Sequence, residues 1–169
     1  MVISIKKHFI ILCFLIFSNS KFYGQERVNK QVNFIISVDD KVVIGSIAHC
    51  HLIIDGVISK TEIGYIPGKL SFISNSEISN KLMAAKYVLL AFNYYEYCNG
   101  NQIVHNYEIE LKKAWLDYSF VVLRIYNVNK KRYKGMFNPL KNKDYTYEMD
   151  FPEGSITRVK KKLLNENCY

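Results

Sequence analysis

Hydrophobic and polar positions alternate most clearly between Lys86 and Leu111, in the run KYVLLAFNYYEYCNGNQIVHNYEIEL. Asn99-Gly100 lies near its centre. A type I′ turn needs φ > 0 at both central residues, and Asn-Gly accepts that at little steric cost. The flanks are rich in Tyr, Val, Phe and Ile, which suit a pleated surface. A two-residue loop also fixes register: Cys98 should face Asn101, and Val88, Leu90, Phe92 and Tyr94 should face Leu111, Ile109, Tyr107 and His105. Those pairs make one apolar face. Leu89 with Glu110, Ala91 with Glu108 and Asn93 with Asn106 make a wetter one. A slip by one residue would destroy this agreement. Just upstream, Ile78, Leu82, Ala85, Leu89 and Phe92 fall at helical spacing behind Ser76 and Ser79. The pattern predicts a short helix over 77–86 and a strand from Tyr87; a helix running on to Phe92 would abolish the hairpin.

Elsewhere the same reading predicts strands over 32–38, 42–54, 57–66, 70–73, 119–128, 136–137, 145–151 and 155–159, with Asp39-Asp40-Lys41, Asp55-Gly56, Pro67-Gly68, Asn129–Gly135 and Pro152-Glu153-Gly154 as turns. Trp115, the only tryptophan, is expected over an edge of the core. Nine or ten short strands with turn signals at close spacing and at most one short helix describe an all-β protein, an antiparallel sandwich or barrel. SNSEISN, residues 74–80, is the best internal break, too short to separate two domains.

The first residues change the picture of where the chain goes. Lys6 and Lys7 precede the apolar run FIILCFLIF, which is too short to span a bilayer, and Ser18-Asn19-Ser20 supplies small residues for cleavage, with Gly24-Gln25 a later possibility. Residues 1–24 are thus expected to be a signal peptide, 29–160 a single sandwich domain, and 161–169 a frayed tail. No transmembrane span is expected after cleavage. The localisation implied is export to the periplasm, cell surface or extracellular space. Cleavage after Ser20 would remove Lys6 and Lys7 and lower the formal charge from +8 to +6. Lys dominates the basic residues and accompanies much Asn, Ile and Tyr, a mix that AT-rich coding produces by itself. The charge therefore argues for no nucleic-acid partner; for an exported protein, anionic polysaccharide or membrane headgroups fit better.

One local resemblance narrows the fold. Leu140-Lys-Asn-Lys-Asp-Tyr145-Thr-Tyr147 resembles the Leu-x-x-x-x-Tyr corner before the penultimate strand of fibronectin type III and related immunoglobulin-like domains. The resemblance covers about twenty residues. It implies an immunoglobulin-like β-sandwich, with Leu140 packed inside and the Tyr145 hydroxyl tied to nearby backbone. The Pro-Gly of that corner and the family's early Trp are absent. The architecture hosts many functions and implies no activity.

Candidate chemistry is sparse. His49 and His51 lie two apart, so on a regular strand they share a face, with Cys50 on the other. They could hold one metal ion if Glu62, His105 or Asp55 supplied a third ligand; a catalytic zinc needs three protein ligands and an open position. His105 is otherwise expected to hydrogen-bond Tyr94. Export permits a disulfide, and Cys50–Cys98 is the natural pair, leaving Cys168; an odd count also permits none. Lys130, Lys131, Arg132, Tyr133 and Lys134, with Arg158 and Lys160–Lys162, could form a basic patch in which Tyr133 stacks on a sugar. Among the thirteen tyrosines, Tyr95 and Tyr97 point outward and suit an interface. There is no Gly-x-Ser-x-Gly elbow, phosphate loop or Cys-x-x-Cys, and no acid/base pair stands out. The expected function is a non-catalytic binding or assembly module of the cell envelope, contacting protein or anionic polysaccharide and needing no cofactor. The alternative is a metal-binding protein or metal-dependent hydrolase using His49 and His51.

Overall fold

A computed structural model describes residues 28–158, except residues 60 and 62. The signal segment with Cys13, Glu62, Lys160–Lys162, Cys168 and the tail 161–169 lie outside the described residues. The protein is an all-β sandwich of antiparallel sheets packed together. Its strands are β1 (Val28–Val32), β2 (Phe34–Val38), β3 (Lys41–Val42), β4 (Ile47–Ile54), β5 (Val57–Ile58), β6 (Ile63–Ile66), β7 (Lys69–Ser74), β8 (Val88–Cys98), β9 (Asn101–Leu111), β10 (Val121–Asn127), β11 (Tyr145–Phe151) and β12 (Gly154–Ile156). They form a three-stranded sheet β1-β7-β6, a five-stranded sheet β12-β11-β10-β2-β3 and a four-stranded sheet β5-β4-β8-β9. Twelve strands exceed the nine or ten expected because the expected strands 32–38, 42–54 and 57–66 each break in two, while 136–137 forms no strand.

The β8–β9 hairpin forms in the expected register, from Val88 opposite Leu111 to Cys98 opposite Asn101. Asn99 and Gly100 take φ of 51° and 80°, as a type I′ turn requires. Leu90, Phe92, Tyr107 and Ile109 are fully buried, while Glu108 and Glu110 face water. Ala91 departs from the wetter face and is buried.

The helix α1 spans Ser76–Ala84. Its N-cap is Asn75, whose side chain accepts from the Ile78 N–H at 2.8 Å, rather than either serine. Leu82 and Ala85 are buried beneath it. The helix cannot run on to Phe92 because the Asp55 carboxylate, from the β4–β5 turn, accepts from the Lys86 and Tyr87 backbone N–H groups.

The expected strand 32–38 is two strands in different sheets. At Asn33 the chain leaves the three-stranded sheet for the five-stranded one. The Asn33 side chain donates to the Ser119 carbonyl at 2.7 Å, and its own carbonyl accepts from Val121 N–H at 2.8 Å. β2 then pairs parallel with β10, the one parallel pairing among the described strands. The expected strand 42–54 breaks at Ile44-Gly45, leaving Ile44 exposed and Val43 buried.

The four- and five-stranded sheets meet across the core at the Tyr107 and Tyr145 rings, edge to face with centroids 4.9 Å apart. Trp115 is not at an edge. It sits in a one-turn 3-10 helix, Lys113–Leu116, fully buried with its ring 5.7 Å from Phe72 of the three-stranded sheet. On β11, Tyr145, Tyr147, Met149 and Phe151 all point inward as the alternation predicts. Leu140 packs half-buried against the core. The Tyr145 hydroxyl, however, reaches β9 instead of its own corner: it donates to the Glu108 carbonyl at 3.0 Å and accepts from the Glu108 N–H at 2.8 Å. A Tyr145→Phe variant should lose about 1–2 kcal/mol, because it strips both groups of their partner while keeping the ring. The check is a lower urea midpoint with unchanged m.

Candidate functional site

The basic loop between β10 and β11 folds onto the protein. Asp39 and Asp40, with φ of 52° and 66°, form the tight β2–β3 turn and present their carboxylates to this loop. Asp39 accepts from the Asn127 N–H at 2.9 Å and the Asn127 side-chain amide at 2.7 Å. Its Oδ2 also meets Lys130 Nζ at 2.8 Å. The same ammonium lies 2.6 Å from Glu96 Oε1 on β8, and Glu96 Oε2 lies 3.0 Å from His105 Nε2. Asn127 Oδ1 in turn accepts from the buried Tyr107 hydroxyl at 2.9 Å. One polar network thus clasps the five-stranded sheet to the β8–β9 hairpin. Lys130's hydrogen bond holds the Glu96 carboxyl below its ordinary pKa. Burial alone would lower Lys130, but Asp39 and Glu96 outweigh it and hold the ammonium charged.

This placement corrects the expected binding patch. Tyr133 is buried, not presented for stacking: its ring packs with Tyr126 and Phe137, and its hydroxyl donates to Asp40 Oδ2 at 2.8 Å. Burial pushes the Tyr133 hydroxyl pKa up, and pushes that of Tyr126 up to about 12. Arg132 pairs with Asp40 at 2.7 Å. Of the five loop residues, only Lys131 and Lys134 stand exposed without such a partner among the described residues. Arg158 lies with its guanidinium 5.1 Å from the Tyr147 ring. Tyr97 is exposed as expected, but Tyr95 is half-buried.

The shared face expected for His49 and His51 rested on regular alternation, and a β-bulge interrupts β4 between Ala48 and His51. His49 takes φ of 51° and is exposed. His51 is half-buried, with Nδ1 2.8 Å from the His49 carbonyl. Of the proposed third ligands, Asp55 holds backbone N–H groups and His105 is engaged by Glu96. Among the described residues, no group of three or more His, Cys, Asp or Glu is arranged to hold a metal ion. His105 stacks on Tyr94 with ring centroids 6.1 Å apart, and Glu96 takes the hydrogen bond expected of Tyr94.

Cys50 and Cys98 are free thiols, not a disulfide. Ile47 pairs with Tyr94 and His51 with Ala91, so Cys50 lies several residues along the ladder from Cys98. At about 3.3 Å per residue that separation far exceeds the ~7 Å Cα limit of a bridge. Cys50 is half-buried, and burial pushes its thiol pKa up to about 12; Cys98 is exposed beside the hairpin turn.

With these polar groups engaged, an open concavity lies elsewhere. A cleft of about 950 Å³ runs between α1 and the β4–β5 hairpin. Ile54, Val57, Ile58, Ile73 and Ile78 line it, and Val57 and Ile58 are 70% and 63% exposed. Its polar rim is already satisfied. Lys81 pairs with Glu77 at 2.7 Å, the Ser59 and Thr61 hydroxyls bond each other at 2.7 Å, and Asp55 holds backbone N–H groups. A ligand entering here meets aliphatic surface flanked by the exposed Glu77–Lys81 pair. The signal for this site was Val57-Ile58 directly after the Asp55-Gly56 turn, a β-branched pair on a strand too short to bury it. No helix among the described residues is long and apolar enough to cross a membrane. No family model, no curated protein and no solved structure matches this chain.

Proposed function

We propose that the protein is an exported, non-catalytic binding or assembly module of the cell envelope, whose partner is a protein that seats aliphatic side chains in the α1–β5 cleft. The cleft carries this reading: it is concave, with Ile54, Val57, Ile58, Ile73 and Ile78 along it, and its Glu77–Lys81 and Ser59–Thr61 pairs bond each other, as suits recognition rather than bond-making. The leader-like N-terminal segment supports export. An anionic polysaccharide fits less well, because Lys130 and Arg132 of the basic loop are engaged by Asp39, Glu96 and Asp40.

A photo-activatable residue placed at Ile58 in living cells tests the idea. Irradiation should give a discrete protein adduct that Ile78→Lys, which puts a charge into the cleft, abolishes. The reading is overturned if position 58 gives no adduct while a control at Lys131 does. Stoichiometric zinc or copper in the purified protein, lost on replacing His49 and His51 by Ala, would likewise displace it in favour of the metal-binding alternative.

A further inference from the structure

The four-stranded sheet ends on one side at β5, beside the cleft, and on the other at β9. β9 is eleven residues long and its tip-proximal half is uncovered. In a two-residue hairpin the residues flanking the turn exchange hydrogen bonds, so the odd-numbered residues from Asn101 direct their backbone groups to β8 and the even-numbered ones direct theirs outward. The Tyr145 hydroxyl at the Glu108 N–H and carbonyl agrees with that orientation. Glu108 is thus covered from β11, and Tyr147 lies against the Glu110 backbone. Gln102, Val104 and Asn106 have no such cover: among the described residues nothing bonds their outward N–H and carbonyl groups.

Exposed edges are normally guarded by charged side chains, proline or a bulge. Asn101–Asn106, NQIVHN, contains no Lys, Arg, Asp, Glu or Pro, and its β9 pairing with β8 is unbroken. Ile103 and Val104 are 44% and 47% exposed there, and Tyr97 across the hairpin is 71% exposed.

We propose that this edge pairs with the same edge of a second copy, antiparallel about a twofold axis at Val104. In that register Gln102 faces Asn106 of the other copy, Val104 faces itself, and Asn106 faces Gln102, each pair exchanging two hydrogen bonds. No other antiparallel register satisfies all the free groups of both strands. One further step along, Gly100 meets Glu108, whose groups Tyr145 already occupies, which ends the ladder there. The facing side chains are complementary. A β-branched pair sits on the axis with an amide pair on either side, and no like charges face each other. The result is one continuous sheet running through both copies.

Light scattering across a concentration series of the purified protein tests this, with a mass approaching twice that of the monomer expected at the top of the range. Val104→Lys sets two ammonium groups face to face on the axis and should weaken association at least tenfold, with the thermal midpoint unchanged at concentrations where both proteins are monomers. A second arm does not depend on how that variant folds. In a Cys98→Ser background, oxidation should link V104C into a covalent dimer far faster than N101C, since Asn101 faces Tyr107 in this register and lies far from its own copy. A monomer at every concentration overturns the inference, as does a dimer indifferent to Val104→Lys or equal cross-linking at the two positions. None of these outcomes touches Ile58 or Ile78 at the opposite edge of the sheet, so the cleft reading stands or falls separately.

Discussion

Raised from pH 9 towards pH 12, the protein should unfold cooperatively close to pH 11. Seven of its tyrosines, Tyr65, Tyr94, Tyr107, Tyr126, Tyr133, Tyr145 and Tyr147, have hydroxyl pKa values pushed up, in each case chiefly by burial. Five of them, Tyr107, Tyr126, Tyr133, Tyr145 and Tyr147, are buried outright. A tyrosine in the unfolded chain ionises near pH 10. Above that value the native state holds more protons than the unfolded state, so stability falls as pH rises, and it goes on falling until the native pKa is reached, about 12 for Tyr126. A group whose native pKa lies above 11 costs about 1.4 kcal/mol by one unit above its unfolded pKa, so Tyr107, Tyr126 and Tyr133 together cost about 4 kcal/mol at pH 11, and Tyr145 and Tyr147, also raised, add to this. That approaches the whole stability of a typical domain, about 5–15 kcal/mol. Cys50, raised to about 12, adds to the loss from a lower pH, and Lys130 and Lys143, both raised, act in the same sense. Far-UV circular dichroism and tyrosinate absorbance, followed together, check this. The last part of the absorbance rise, from the buried tyrosines, should coincide with the loss of dichroism. Absorbance that reaches its full amplitude for thirteen tyrosines while the dichroism holds would mean the rings are not protected.

The tyrosines also show what could and could not be read in advance. Where a feature depends on neighbours in sequence, the pattern carried it. Asn99-Gly100 sets the turn, the turn sets the register, and the register puts Phe92 and Tyr107 inside. The alternation from Tyr145 to Phe151 placed four side chains in the core without reference to anything distant. The failures depend on distant groups or on a local irregularity. Residues 129–135 read as a basic turn that presents Tyr133 to a ligand, but Tyr126 and Phe137 on either side give Tyr133 an apolar seat, and Asp40 gives its hydroxyl a partner. Val32–Val38 reads as one strand; the Ser119 carbonyl and the Val121 N–H, far along the chain, and the Gly68 carbonyl hold the switch between sheets at Asn33. At His49 a single left-handed residue breaks the alternation on which the shared histidine face depended, and no turn signal marks it. The cleft was missed for a similar reason. Val57 and Ile58 look like strand interior until α1, whose placement needs Asp55 to hold Lys86 and Tyr87, closes one wall beside them.

The largest single-residue effect on stability should come from Asp39→Ala, at about 3–8 kcal/mol, assembled from two sources. Alanine in a left-handed conformation costs about 1–2 kcal/mol, and residue 39 sits at φ 52°. Losing the acceptor for the N–H and side-chain amide of Asn127, itself buried, costs about 1–3 kcal/mol for each group left unpaired. The ion pair with Lys130 contributes less than its 2.8 Å distance suggests, because the lysine side chain is 38% exposed and Glu96 still holds it. Asp39→Asn separates the sources. Asparagine tolerates the left-handed backbone and keeps one acceptor oxygen, so about 1–2 kcal/mol should be lost. Arg132→Ala, in the same region but at a side chain 70% exposed, should cost under about 0.5 kcal/mol. Urea unfolding of the three variants ranks them. If Asp39→Ala proves no more costly than Arg132→Ala, the network does not clasp the hairpin to the five-stranded sheet, and Glu96, Lys130 and His105 would have to be reconsidered as groups free to act on a ligand.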